Sequence, residues 1–301
     1  EYDFEKFSFT ETRYINTLID YNHYGKYRKK IQQLFKAPGN RLSIYNTLEN
    51  DGKINVKEGL SYNVEIQMQD LAGNMTKVVI PVEGKREELK AKRPIEKTDT
   101  YVIARKPNNY DLDAAKVYFP ANTFYKDFYI DLEKGSDTVT IHNSRVPAHR
   151  KFTITFDASK YSSEDRKKMF IARLDKKLKP SYTSTYKRAN TFTTKTRNLG
   201  TYTLAKDTTA PKVRALNFKE KQWLNNYKYL RVHISDNLSG IDTYSATING
   251  QWVLMEYESK KNTLTYNFAD KTFSEKQYNL ELVVTDNVGN STTFKRTFYR
   301  K

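Results

Sequence analysis

The clearest pattern along this chain is a strict alternation of apolar and polar residues that runs into an acidic, glycine-containing turn. "YNVEIQMQDLAGN" occupies Tyr62 to Asn74, and "YNLELVVTDNVGN" occupies Tyr278 to Asn290, 216 residues later. At that offset seven of the fifteen positions from 62 to 76 are identical. Alternation with period two sends successive side chains to opposite faces of a strand. A repeat at this distance therefore points to two similar building units before it points to chemistry.

The same periodicity fills the last third of the chain. "VRALNF", "YLRVHIS", "TYSATI", "QWVLMEY", "TLTYNF", "YNLELVVT" and "TTFKRTFY" are seven short runs rich in aromatic and β-branched residues, separated by turn signals. Asn249-Gly250 is a type I′ hairpin signal, because both central residues of that turn need positive φ. Seven strands over residues 208–301 predict an immunoglobulin-like β-sandwich. In the middle third, "TYVIARK", "KVYFP", "DFYIDLE", "DTVTIHN", "KFTITFD", "MFIARLD" and "TYTLA" read as strands. Only "SSEDRKKM" reads as helix, with Ser162 and Asp165 spaced as a capping box. In the first third, "ETRYINTLIDYNHYGKYRKK" has no clean period and reads as a long loop or short helix, and "IQQLFKAPGNRLSIY" reads as strand, Pro-Gly turn and strand.

Two linkers divide these patterns. "EGKREELKAKRPIEKTDT" is almost free of large apolar residues, and "AKDTTAPKV" carries a Thr-Ala-Pro of the kind that opens a new strand in tandem modules. The expected organisation is all-β, with tandem immunoglobulin-like β-sandwich modules: a variant sandwich at 1–84, a linker at 85–99, a basic β-sandwich-like domain at 100–207 and a sandwich at 208–301. The opening "EYDFEKFSF" lacks a Met, a basic leader or an apolar core region and reads as the start of a mature or excised segment.

Composition sharpens this picture in three ways. First, 38% hydrophobic residues, including 23 Tyr and 16 Phe, can fill several small cores. Second, the chain has no Cys, which removes disulfides, thiolate zinc sites and Cys nucleophiles together. Third, the net charge of +17 is unevenly placed. Residues 1–84 are balanced, whereas 85–207 carry 27 basic against 15 acidic residues and 208–301 carry 14 against 9. No apolar window is long enough to span a membrane.

Candidate chemistry is sparse. His23, His142, His149 and His233 are scattered without metal-ligand spacing. No G-x-S-x-G nucleophile elbow and no glycine-rich phosphate loop is present. Calcium is the serious chemical reading of the repeated turn, with "SDNLSG" at Ser235 to Gly240 as a further Asp-Asn turn. Ca²⁺ takes six to eight oxygens, and each pentapeptide offers one carboxylate and one amide oxygen, too few unless other loops help. Asp70 and Asp286 can instead accept bonds from backbone amides two residues on, with Gly73 and Gly289 at positive φ, and that turn reading is preferred. From Asp165 to Arg197 the chain carries 11 Lys and Arg against two Asp. Lys167, Lys168, Lys176, Lys177, Lys187 and Arg188 are accordingly the candidate polyanion-binding residues, weighed against an ordinary solvated sheet face. No nucleic-acid motif accompanies them, so nucleic acid is not among the expected partners. Trp223 and Trp252 are read as core residues ahead of sugar-stacking platforms.

"FSFTETRYINTLIDY", "QLFKAPGNRLSIY", G-x-I-N-V and the V-E-I-x-M-x-D-L-A-G-N hairpin resemble the region that follows the catalytic domain in secreted Bacteroidetes proteins of the lysostaphin-like zinc endopeptidase family. "FTITFDASKY" and "LGTYTLAKDTTAP" resemble the continuation of those proteins, so the likeness covers essentially the whole chain. That family cuts peptidoglycan peptide bridges with a zinc bound by H-x-x-x-D and H-x-H. Neither pattern occurs: four residues after His23, His142, His149 and His233 stand Tyr27, Val146, Thr153 and Asn237. The resemblance therefore carries over no catalytic, cofactor or metal residue. It implies a non-catalytic accessory region, secreted, periplasmic or cell-surface, whose partners are its own zinc-containing peptidase domain and an anionic cell-wall or outer-membrane polymer. A structural or protein-interaction module that docks on and regulates the peptidase or another partner is the alternative.

Overall fold

The computed structural model describes residues 11–86, 97–271 and 273–301. The opening run and most of the expected first linker, 87–96, lie outside the described residues. The chain forms two compact units, one of residues 1–104, 124–130 and 144–149, the other of residues 105–123, 131–143 and 150–301. Parts of the expected middle module thus group with the N-terminal residues, and the remainder groups with the C-terminal sandwich.

In the first unit, residues without a period become short helices. Thr12–Thr17 is a 3-10 turn, and Tyr21–Tyr27 is an α-helix whose N-cap Asp20 accepts the His23 amide at 3.0 Å. Leu18, Leu42 and Ile44 form a small core with Tyr14, Ile15 and Tyr45 against it. The expected strand, Pro-Gly turn and strand over 31–45 keeps only its turn, with Gly39 at φ +77°. Among the described residues of 1–84 the strands are those of a single hairpin, Ser61–Gln69 and Met75–Glu83. The second sheet that a variant sandwich at 1–84 requires is not formed by them, because the apolar residues before Ser61 lack the alternation that would give a strand one buried face.

The hairpin itself follows the sequence pattern closely. Cross-strand pairing of Tyr62 with Val82, Val64 with Ile80 and Ile66 with Val78 gathers most of the apolar residues on one face. The other face carries Glu65 and Lys77, ion-paired at 2.7 Å. Yet the apolar face is poorly covered: Val78, Ile80 and Met68 are 43%, 42% and 55% exposed.

The second unit contains two sandwiches in series, and each follows from alternation. In the middle one, Phe152–Asp157 and Thr191–Thr196 form a five-stranded antiparallel sheet with Ala115–Phe119, Asn108–Asp111 and Tyr186–Arg188. The opposing five-stranded sheet runs Pro180–Tyr182, Met169–Leu174, Gly200–Lys206, Thr138–Ile141, Leu132–Lys134. Val117, Phe119, Phe152, Ile154, Phe156 and Phe192 point inward from the first sheet and are buried. The helix Ser163–Lys168 forms as the capping box predicts, with Ser162 Oγ accepting the Asp165 amide at 3.1 Å.

The C-terminal sandwich pairs a four-stranded with a five-stranded sheet. The run "QWVLMEY" splits into Gln251–Val253 in one sheet and Glu256–Glu258 in the other, so it crosses between layers. Asn249 and Gly250 take φ of 51° and 76°, as a type I′ turn demands. Leu230, Val232, Ile234, Ile248, Leu264, Leu282, Val284 and Phe298 are fully or almost fully buried in its core. Trp223 and Trp252, expected in that core, are 50% and 61% exposed. Their neighbours Leu224 and Val253 take the inward positions, leaving the indoles outside.

Candidate functional site at the junction of the two sandwiches

The two turns of the repeat fold identically. Asp70 Oδ1 accepts the amides of Ala72 and Asn74, each at 2.9 Å, and Oδ2 accepts Asn74 Nδ2 at 2.8 Å. Asp286 Oδ1 accepts the amides of Val288 at 2.9 Å and Asn290 at 2.7 Å, and Oδ2 accepts Asn290 Nδ2 at 2.7 Å. In both, the Asp amide donates to the Asn carbonyl at 3.0 Å and the Gly amide donates back to the Asp carbonyl. Gly73 and Gly289 sit at φ +86° and +79°, which only glycine adopts freely.

Their surroundings differ. Asp70 lies in the open, where bonds from Asn74 hold its carboxyl below the ordinary value. Asp286 is 1% exposed, and two further carboxylates from other loops meet it. Asp207, from the linker between the sandwiches, is 2% exposed, and Asp236 comes from the "SDNLSG" turn. One carboxylate oxygen from each of Asp207, Asp236 and Asp286 lies within 4.8 Å of the others, the one such grouping of ligand-type residues found among the described residues. Asp207 accepts the amides of Thr209 and Ser239, each at 2.9 Å. Asp236 Oδ2 accepts those of Leu238 at 2.9 Å and Gly240 at 2.8 Å. Asp236 Oδ1 and Ser239 Oγ are sealed from solvent without a hydrogen-bond partner.

This cluster sits where the sandwiches join. Phe170 and Ala172 of the middle sandwich pack with Val288 of the repeated turn, flanked by Tyr182, Ala205 and Leu238. Asn290 Nδ2 also donates to the Asp207 carbonyl at 3.0 Å, tying turn to linker.

The structure separates the six candidate polyanion-binding residues. Lys168 Nζ donates to the carbonyls of Val288 at 3.4 Å and Gly289 at 3.1 Å, so it belongs to the junction. Lys187 Nζ donates to the carbonyls of Arg166 at 3.1 Å and Lys167 at 2.8 Å. Burial, with Lys168 nearby, pulls its pKa below the ordinary lysine value, while Asp286 opposes that shift. Lys167 is paired with Glu164 at 2.8 Å, and Arg188 Nε donates to Tyr186 Oη at 3.1 Å with its guanidinium over that ring. Lys176 and Lys177 stand exposed in the tight loop that Asp175 braces through the amides of Lys177 and Lys179. Three of the four histidines serve locally: His142 Nδ1 accepts the Asp131 amide, His23 lies against Tyr27, and His149 lies between Tyr14 and Tyr125.

Sequence reasoning named Asp286 and the turn holding Asp236, but it missed Asp207 as their partner. The signal was present in "AKDTTAP", an Asp four residues before the linker proline, yet only folding brings it to the other two.

The class of protein these features define is a tandem, all-β, sandwich-built region. Residues 99–207 match the Zu5-like domain family. Among solved structures, fibronectin(III)-like modules of Clostridium thermocellum CbhA are similar at 12% identity, covering 50% of this chain and 86% of that one, with a TM-score of 0.25. No curated protein matches. Zu5-like domains are typically non-catalytic. No helix among the described residues is long and apolar enough to cross a membrane.

Proposed function

We propose that this region is the accessory arm of a cell-envelope peptidoglycan metalloendopeptidase, holding a zinc-containing catalytic domain outside these residues at a set distance and orientation. The observation that carries the positioning role is the packed junction of Phe170, Ala172 and Val288, which makes two sandwiches in series behave as one compact unit. The link to a peptidase rests on the resemblance of its sequence motifs. Contact with anionic envelope polymer falls to Lys176 and Lys177, since Lys168 and Lys187 are engaged with backbone carbonyls. Sedimentation with isolated sacculi and outer-membrane vesicles over a salt series tests that contact. Binding that weakens with salt and with joint Lys176→Ala and Lys177→Ala replacement is expected, and absence of binding at low salt overturns it. Hydrolysis of peptidoglycan by these 301 residues with added zinc would overturn the accessory reading itself.

The exposed apolar face of the hairpin around Val78, Ile80 and Met68 favours the second reading, docking on the peptidase domain or another partner. Serine substitutions there weaken docking in that case and leave sacculus binding unchanged.

A further inference from the structure

We infer that Asp207, Asp236 and Asp286 form a binding site for one hard divalent cation, calcium by its chemistry, which clamps the linker between the two sandwiches. The inference rests on the positioning role above and gives it a control: the arm is stiffest with the ion bound.

The donor chemistry comes first. Three carboxylates converge within 4.8 Å, and no imidazole or thiolate joins them, a set that suits Ca²⁺ or Mg²⁺ over softer metals. Two of the three carboxylates are almost wholly buried, where three like charges repel strongly unless something offsets them. The unused atoms are the second, independent observation. Asp236 Oδ1 is sealed from solvent without a donor, and Ser239, 0% exposed, has an unpartnered Oγ while its own amide donates to Asp207. Native structures seldom leave such atoms unsatisfied unless a water or ion is bound there. The Asx bonds hold each carboxylate in position through one or both oxygens, and a carboxylate oxygen that accepts an amide keeps a lone pair for a metal. Calcium's loose geometry and long bonds tolerate irregular loops and water ligands, whereas magnesium demands a near-ideal octahedron.

The three ligands come from the linker, from the loop after Tyr229–Ser235 and from the turn between the last two strands. A cation there ties the linker to two loops of the C-terminal sandwich beside the Phe170–Val288 contact. The competing source of charge is resident: Lys168 and Lys187 stand close by, and Lys187 feels the Asp286 charge. Both ammonium groups already donate to carbonyls, so they soften the repulsion without filling the oxygen sites.

Isothermal titration of the full chain with calcium chloride, after chelator treatment, tests the site. One calcium per chain is expected, with a rise in melting temperature over the chelated protein and slower amide exchange in residues 205–211. Asp236→Asn keeps an oxygen for the Leu238 and Gly240 amides and so preserves the turn. It is expected to weaken calcium binding at least tenfold and abolish the melting shift, while Asp70→Asn in the exposed twin changes neither. Absence of calcium binding by the wild-type chain overturns the site, as does unchanged binding in Asp236→Asn. A chelated Asp236→Asn protein as stable as the wild type in calcium, with no calcium effect on either, would show that the lysines suffice as counter-ions. Because the readout is calcium binding, it stands or falls separately from sacculus sedimentation.

Discussion

Replacing the same aspartate in the two copies of the repeat isolates what burial adds to an identical turn. Asp286→Ala removes the acceptor of two amides and one side-chain NH₂ group. The Val288 amide bond is buried, so losing its partner costs about 1–3 kcal/mol, and the two partly buried donors add about 0.5–1 kcal/mol each. Relief of repulsion among three carboxylates offsets part of this, leaving about 2–3 kcal/mol of lost stability in chelator. Since about 1.4 kcal/mol is tenfold in an equilibrium, amide exchange in the segment 277–299 should accelerate roughly a hundredfold. Asp70→Ala removes the same three bonds, but water replaces them at once, and segment 61–83 should show a clearly smaller change. Hydrogen exchange read segment by segment on both variants is the assay. Equal loss of protection in the two hairpins, or a larger loss at 61–83, would refute the claim that burial and not the turn itself sets the energy.

Other substitutions probe the fold separately. Phe298 is 0% exposed and its ring lies 5.1 Å from Tyr278, 5.8 Å from Phe268 and 6.1 Å from Phe218; Phe298→Ala should cost about 3–5 kcal/mol in urea unfolding followed by tryptophan fluorescence. Tyr202 is fully buried, its hydroxyl donates to the Asn198 carbonyl, and burial raises its pKa above the ordinary 10.0. Between 10.0 and the higher folded value the native chain keeps a proton that the unfolded chain loses, so stability falls as pH rises through that window. Thermal melts should show this alkaline decline in the wild type and a shallower one in Tyr202→Phe. At the base of the first hairpin, a Cβ on Gly84 would lie 1.9 Å from the Lys57 carbonyl oxygen. Gly84→Ala should therefore break the Gly59 and Leu60 pairing with Gly84 and speed exchange at residues 57–60.

Much of the second unit was legible because its strands alternate cleanly and its turns carry their own chemistry. The Asn249-Gly250 hairpin, the Ser162 cap and the strands from Phe152 and Gln277 needed nothing beyond local preference. The short strands Pro180–Tyr182 and Tyr186–Arg188 were not legible. Runs of three residues are too short to show a period, and they become strands by pairing with neighbours already in place. The first unit was misread for a related reason: "IQQLFKAPGNRLSIY" is apolar enough for strands, but without alternation it forms turns around the small Leu18 core.

By itself the sequence determined the all-β character and both copies of the Asp-x-x-Gly-Asn turn, because an aspartate bonding amides two and four residues ahead involves only its own neighbours. It also shows that the H-x-x-x-D and H-x-H spacings of the lysostaphin-like family are missing. Only the tertiary structure decided that Asp286 is buried and Asp70 is not, and that Asp207 and Asp236 join Asp286 from 79 and 50 residues away. Likewise only the folded chain turned Lys168 and Lys187 from a charged surface into carbonyl-bound struts. Local bonds follow from residue order, whereas burial and convergence follow from which faces meet once apolar surface leaves water.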